Sequence, residues 1–333
     1  MLEALEDLAT RLAATCRRQQ LEAKTAELSR VDGVGVGDTT FGIDTRPEAV
    51  VAAWAEELAL AGPLSILTED SGWRHLGPAA GGFGPLAGFD HGGPRVVVDP
   101  VDGSRNLMFD LRPAWAAIAA APPGSAQPRL SDLTLGVVQE LGTSRHGRAL
   151  RLTGVAGGDC QEQLFELDSH GLAARVHKRQ LTVDADNRVD QGFVPFFRYH
   201  PASRVQLARL EAAFFERLRR HEGADLRSIF DDQYISNAGQ LVLLAQGKYR
   251  MIADLRGLCQ NTDGSPAVTS KPYDIAGAVV CARAAGALLE SPSGEALDVP
   301  LDATTQVSFV GFTNAATRAR LAPHLQSALA DSQ

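Results

Sequence analysis

The stretch that constrains this chain most is short. Residues 95–98 read Arg-Val-Val-Val, a β-branched run of the kind that fills a buried strand. The next eight residues are Asp99-Pro100-Val101-Asp102-Gly103-Ser104-Arg105-Asn106. A strand here delivers two carboxylates, a hydroxyl and a glycine into one small volume. Carboxylates held that close repel one another unless a cation lies between them. Hard oxygen ligands without His or Cys suit Mg²⁺. The Asp-Pro-Val-Asp turn adds the Val101 carbonyl. Gly103 and Ser104 lead toward a short helix whose N–H groups would face an anion. Cations beside an anion pocket point to a phosphate ester.

The surrounding pattern predicts where that strand sits. Residues 2–28 space Leu2, Leu5, Leu8, Leu12 and Cys16 helically. A glycine-rich loop is expected over 31–42, and its Gly-Val-Gly-Val-Gly-Asp run (33–38) lacks the spacing of a nucleotide loop. The form Thr45-Arg46-Pro47-Glu48 reads as a capping box opening a helix that runs to about Leu60. Residues 64–70 read as a strand with Glu69 and Asp70 at its exit, and 71–94 as a Gly/Pro-rich loop. Runs near 133–141, 147–155 and 173–183 suggest an antiparallel sheet. A helix is expected over 202–220, followed by alternating α and β, and a helix over 271–289 with Asp274 at its start. On its own, Asp274 is a helix cap. The pattern changes near 188, which divides the chain into an N-terminal α+β part (1–188) and a C-terminal α/β part (189–333).

Composition excludes several partners. The formal net charge of −8 argues against nucleic acid or an anionic membrane. Cys16, Cys160, Cys259 and Cys281 form no CxxC pair and fit buried thiols in a reducing compartment. No stretch is apolar for long enough to span a bilayer, so a cytoplasmic protein is expected. The run 184–192 starts like a calcium loop but has Val189 where that loop needs glycine. Asp231-Asp232 and Glu56-Glu57 read as solvated surface.

Taken together, Asp99–Asn106, Glu69-Asp70 and Tyr273-Asp274-Ile275-Ala276-Gly277 resemble the three motifs of the inositol monophosphatase / fructose-1,6-bisphosphatase superfamily, in the same order. That resemblance implies a layered α/β/α/β/α sandwich of two subdomains, an α+β fold of the sugar-phosphatase type. It implies two or three Mg²⁺ ions, or Mn²⁺. Glu69, Asp99 and the Val101 carbonyl would hold the first. Asp99, Asp102 and Asp274 would hold the second, and a weaker third would sit near Glu69. Ser104 would orient the attacking water with Asp44, and the Gly103 and Ser104 N–H groups would bind phosphate. It implies a homodimer and a small phosphorylated polyol or sugar as substrate, inositol monophosphate above all. Fructose 1,6-bisphosphate and a 3′(2′),5′-bisphosphate nucleotide are the alternatives, and a non-catalytic phosphate-binding homologue is the reading of another class.

The chain also departs from the pattern. Phe41 stands where the Thr of the Thr-x-x-Asp element belongs, Tyr273 replaces a Trp, and Ala284-Ala285-Gly286-Ala287 replaces a Glu-Ala-Gly-Gly. Asn237-Ala238-Gly239 stands at a Gly-Ser position on the substrate rim. Arg256, in Ala-Asp-Leu-Arg-Gly (253–257), is similar to an Asp-x-Arg segment of prokaryotic members that take both substrates. It would then read a second phosphate, whereas as a lone arginine it reads as surface.

Overall fold

A computed structural model of the chain describes residues 1–35 and 39–331. Helix α1 (Leu2–Glu22) is followed by a single turn, α2 (Thr25–Leu28), so the expected helix over 2–28 breaks at Ala23. Strands β1 (Val31–Val34) and β2 (Thr39–Phe41) pair as an antiparallel ribbon where a loop was expected. Residues 36–38 of that loop lie outside the described residues. Helix α3 (Gly42–Ala61) starts three residues before the predicted capping box. The cap is instead the Asp44 carboxylate, whose Oδ2 accepts from the Phe41 N–H at 2.9 Å, while the Thr45 hydroxyl donates to Asp32.

A nine-stranded sheet follows. Its strands are β3 (Leu64–Thr68), β4 (Gly72–Ala79), β5 (Gly82–Pro85), β6 (Arg95–Asp102), β7 (Ala114–Ala121), β8 (Leu135–Leu141), β9 (Arg148–Val155), β10 (Cys160–Asp168) and β11 (Gly171–Leu181). Their order is β11-β10-β9-β8-β7-β6-β3-β4-β5. Only the second part of the predicted loop 71–94 is irregular, residues 86–94. Residues 72–85 form an antiparallel hairpin on the sheet edge, where half-exposed Gly and Pro hide the strand pattern. Helix α4 (Ser104–Met108) follows β6 at once.

The second half adds α5 (Arg204–Glu222), α6 (Asn237–Ala245), β12 (Met251–Asp254), α7 (Pro272–Ala285), β13 (Leu288–Glu290), β14 (Phe309–Phe312) and α8 (Ala315–Ala330). The expected helix over 271–289 stops at Gly286, which takes φ +102 as its left-handed cap, and the chain turns into β13. Strands β12, β14 and β13 form a small antiparallel sheet.

Side-chain alternation assigns the layers. Val96 and Val98 pack with Leu5, Leu8, Val51 and Trp54 of α1 and α3. Val97 points to the opposite face and packs with Leu241, Ile275 and Val279 of α6 and α7. Ile252, Leu289 and Phe309 of the small sheet face those same helices. Met251, Val310 and Phe312 face α5 and α8 through Phe214 and Leu325. The stack is α/β/α/β/α, as the expected fold class requires.

Helix α7 lies against sheet backbone with almost nothing between. A Cβ at Gly277 would stand 2.6 Å from the Ile118 carbonyl oxygen. One at Gly136 would stand 2.5 Å from the Gly277 oxygen, and one at Gly154 2.7 Å from Cys281 Cα. Cys16, Cys160 and Cys281 are buried free thiols, but Cys259 is half-exposed, against expectation.

Candidate active site

Two strand ends meet because β3 and β6 run parallel. The pairing of Thr68 with Val98 sends Glu69 and Asp99 off the same edge of the sheet. Strand β6 is longer than expected. It continues through the motif to Asp102, with a break in register between Asp99 and Asp102, and all eight of its residues are buried. The two aspartates therefore sit on a rigid irregular strand and not on a loop, a placement at which bulges re-aim side chains.

A cavity of about 280 Å³ opens here. It is lined by Asp44, Glu69, Asp99, Asp102, Ser104 and Asp274, which brings every predicted carboxylate to one place. Val101 and Gly103 line it too. Each of the four aspartates spends one oxygen on the fold. Asp44 caps α3, and Asp274 caps α7 by accepting from the Lys271 N–H at 2.9 Å. Asp99 Oδ1 accepts from the Val101 N–H at 2.9 Å. Asp102 Oδ2 accepts from the Ser236 hydroxyl and from the Ala238 N–H, each at 2.6 Å. Asp274 thus both caps its helix and lines the cavity.

Ser104 Oγ lies 2.6 Å from Asp44 Oδ1 and 2.9 Å from the Val101 oxygen. It has one proton to give, and the shorter contact, to a carboxylate, is the stronger. Gly103 holds φ +91, and a Cβ there would stand 2.7 Å from the Ile235 oxygen, so only glycine fits. Asn106 docks the same turn by donating to Ile235 O at 2.6 Å.

These acids are costly as anions. Burial first, then the charges of Asp102, Asp274 and Glu69, pushes the Asp99 carboxyl well above the usual carboxylate range. Burial pushes Asp44 up to about 6 against the hydrogen bonds from Ser104 and Phe41. Asp102 is likewise pushed up to about 6 by burial, against the donors at the start of α6. Among the described residues, no three His, Cys, Asp or Glu side chains close into a finished metal shell. The donor set is nonetheless all oxygen, buried at Asp44, Asp99 and Asp102, half-buried at Glu69 and Asp274, and over-supplied with negative charge, which fits a hard divalent cation.

Arg256 lines the same cavity as the carboxylates. It is only 2% exposed, so it is no surface residue. Its Nε and Nη2 grip Asp254 at 2.8 and 2.6 Å, Nη2 also reaches Ser270, and Nη1 donates to the Val268 carbonyl. Its plane lies over the rings of Phe197 and Tyr199, at 4.4 and 5.5 Å from their centroids. Four of its five N–H groups are engaged, which leaves a single N–H and not a two-pronged fork to offer a ligand. The reasoning from sequence did not find Ser236, Phe197 or Tyr199 on the wall, nor the rim cations Arg105 and Lys271. Only Ser236 left a signal, as an N-cap residue before the apolar run of α6.

No family model matches the chain, and no curated protein matches it. Solved structures match along nearly its whole length. An inositol monophosphatase–fructose 1,6-bisphosphatase superposes with a TM-score of 0.64 over 98% of both chains at 14% identity. The extragenic suppressor protein suhB from Bartonella henselae gives 0.63 over 97% of both at 14% identity. Inositol monophosphatase II from Staphylococcus aureus gives 0.59 over 99% of this chain and 96% of that one at 16% identity. That enzyme has also been solved with inositol monophosphate and with 2′-AMP bound. At these identities the shared property is the fold.

Proposed function

We propose that this protein is a Mg²⁺-dependent phosphomonoesterase that hydrolyses a small phosphorylated polyol or sugar such as inositol monophosphate. The observation that carries the reading is one cavity lined by Asp44, Glu69, Asp99, Asp102, Ser104 and Asp274 together. The motifs that resemble the superfamily and the fold shared with its structures support it. Glu69, Asp99 and the Val101 carbonyl would hold one Mg²⁺, and Asp99, Asp102 and Asp274 another, with a weaker third near Glu69 or Mn²⁺ in place of Mg²⁺. When bound, the ions supply charge neutralisation at the attacking and leaving oxygens of an in-line displacement.

The chain's own residues do the rest. The Gly103 and Ser104 N–H groups hold the phosphate oxygens. The Ser104 hydroxyl, tied to Asp44, orients the attacking water in line with the ester bond. The proton of that water passes through Ser104 to Asp44, whose raised carboxyl is basic enough to receive it near neutral pH. The P–O bond to the alcohol breaks as the new P–O bond forms.

A single-phosphate substrate is favoured over a bisphosphate because Arg256 is spent on Asp254. A homodimer and a cytoplasmic setting belong to the same reading. No helix among the described residues is long and apolar enough to cross a membrane. The test is phosphate release from inositol monophosphate, fructose 1,6-bisphosphate, adenosine 3′,5′-bisphosphate and p-nitrophenyl phosphate, with and without Mg²⁺. Release that requires Mg²⁺ supports the reading. No release from any ester, with calorimetric binding of phosphate retained, would make the protein a binding homologue.

A further inference from the structure

Residues 235–238 touch Asp102, Gly103, Asn106 and Asp274, though they lie more than 120 residues from β6 in sequence. The Ile235 oxygen receives Asn106 and abuts Gly103. Ser236, 2% exposed, is the N-cap of α6: its Oγ accepts from the Gly239 N–H at 2.9 Å and donates to Asp102 Oδ2 at 2.6 Å. The Ala238 N–H reaches that same oxygen. Asn237 turns the other way, and its Nδ2 lies 3.3 Å from Asp274 Oδ2. Its own Oδ1 is buried without a partner. Turning the amide over would satisfy nothing, because it would set that oxygen against the Asp274 carboxylate. A buried acceptor left unpaired persists only where other contacts hold the side chain.

We propose that Ser236 and Asn237 are positioning residues that set Asp102 of β6 against Asp274 of α7, fixing the distance between two acids from opposite halves of the chain. The inference rests on the metal site proposed above. One helix start yokes both carboxylates, and each is tied through one named oxygen. Because Oδ2 of Asp102 carries two donors, Oδ1 is the oxygen that Asp102 has to give a cation. The start of α6 cannot drift, since a Cβ at Gly239 would stand 2.5 Å from Trp115 Nε1.

The experiment is calorimetric titration of Mg²⁺ into metal-free wild type, Ser236→Gly and Asn237→Ala. Glycine is nearly as good an N-cap as serine, so Ser236→Gly removes the hydroxyl with little cost to α6. Circular dichroism melts in EDTA confirm that both variants fold. Each variant is expected to weaken Mg²⁺ binding by about tenfold, the range for residues that orient metal ligands from behind. The Mg²⁺ requirement for phosphate release should shift in parallel. Folded variants that bind Mg²⁺ as wild type does would overturn the positioning role alone. A wild type that binds no Mg²⁺ would overturn the metal site as well.

Discussion

Replacing Asp99 with asparagine should move stability in opposite directions with and without metal. Asp99 is 4% exposed, and its carboxyl is pushed up by burial and by three neighbouring acids. An acid whose folded-state value is raised contributes stability below the ordinary carboxylate range and loses it as pH rises. Asparagine keeps an Oδ1 for the Val101 N–H, so the substitution removes a charge and no fold contact. Relieving a buried, poorly compensated group stabilises by about 1–3 kcal/mol. An unfolding entropy of roughly 2.1 cal/mol/K per residue gives about 0.7 kcal/mol/K for this chain. The variant should therefore melt about 1.5–4 °C higher than wild type in EDTA at pH 8, with the gap closing by pH 4. In Mg²⁺ at about a hundred times its dissociation constant, wild type gains about 2.7 kcal/mol, or roughly 4 °C, and the variant gains little. On the proposed function turnover should fall by a factor on the order of 10³ or more, since a charge proposed to anchor the cations is gone. Differential scanning calorimetry with and without Mg²⁺, paired with phosphate release, measures all of this. A variant less stable than wild type in EDTA, or equally stabilised by Mg²⁺, would falsify the electrostatic argument.

Three further outcomes are expected. Ser104→Ala should lower kcat by about 10²–10³ with little change in KM, because it cuts the 2.6 Å link to Asp44 and leaves phosphate N–H groups in place; a variant at half of wild-type kcat would remove Ser104 from the proton path. Glu48, half-buried beside Asp70, has a carboxyl pushed up to about 9, mainly by burial and then by Asp70. Its folded state prefers the proton, so its contribution is present below about pH 4.5 and lost as pH rises toward 9. Glu48→Gln should raise the unfolding free energy measured in urea at pH 8 by less than about 1 kcal/mol, given its partial exposure, and not at pH 4; a gap independent of pH would contradict this. Arg256→Met should cost about 3–5 kcal/mol by stranding Asp254, which is 0% exposed, and an unchanged urea midpoint would mean that the pair is not structural.

What could be read from the sequence was the chemistry carried by adjacent residues. Asp99 to Asn106 announces itself because a β-branched run must end before charges can be fixed at a surface. Asp274 stood out through the helix it opens. The start of α3 was misplaced because Thr45 and Glu48 satisfy the capping pattern as well as Asp44 does. Only the Phe41 N–H decides between them. Strands β4 and β5 were hidden because an edge hairpin with Gly77, Pro78, Gly82 and Gly84 has neither alternation nor apolar density. Arg256 looked like surface since its partner Asp254 lies two positions away, where a local pair is usually solvated. Its burial is set by Phe197, Tyr199 and Ser270, none of them near in sequence.

The glycine seam under α7 bears on how the protein could be re-engineered. Where Gly277 meets Ile118, and Gly136 meets Gly277, main chain rests on main chain. Such a joint has no side-chain identity to lose. Exchanging leucine for methionine elsewhere in the core changes packing volume without altering the height at which the helix sits. The separation of Asp274 from the acids of β6 is thereby insulated from drift across the apolar interior. Substitutions of the exposed rim side chain Val268 can vary the cavity wall without loosening the candidate site. A single added methyl group at 277, 136 or 154 would do the reverse, lifting the helix and with it one carboxylate.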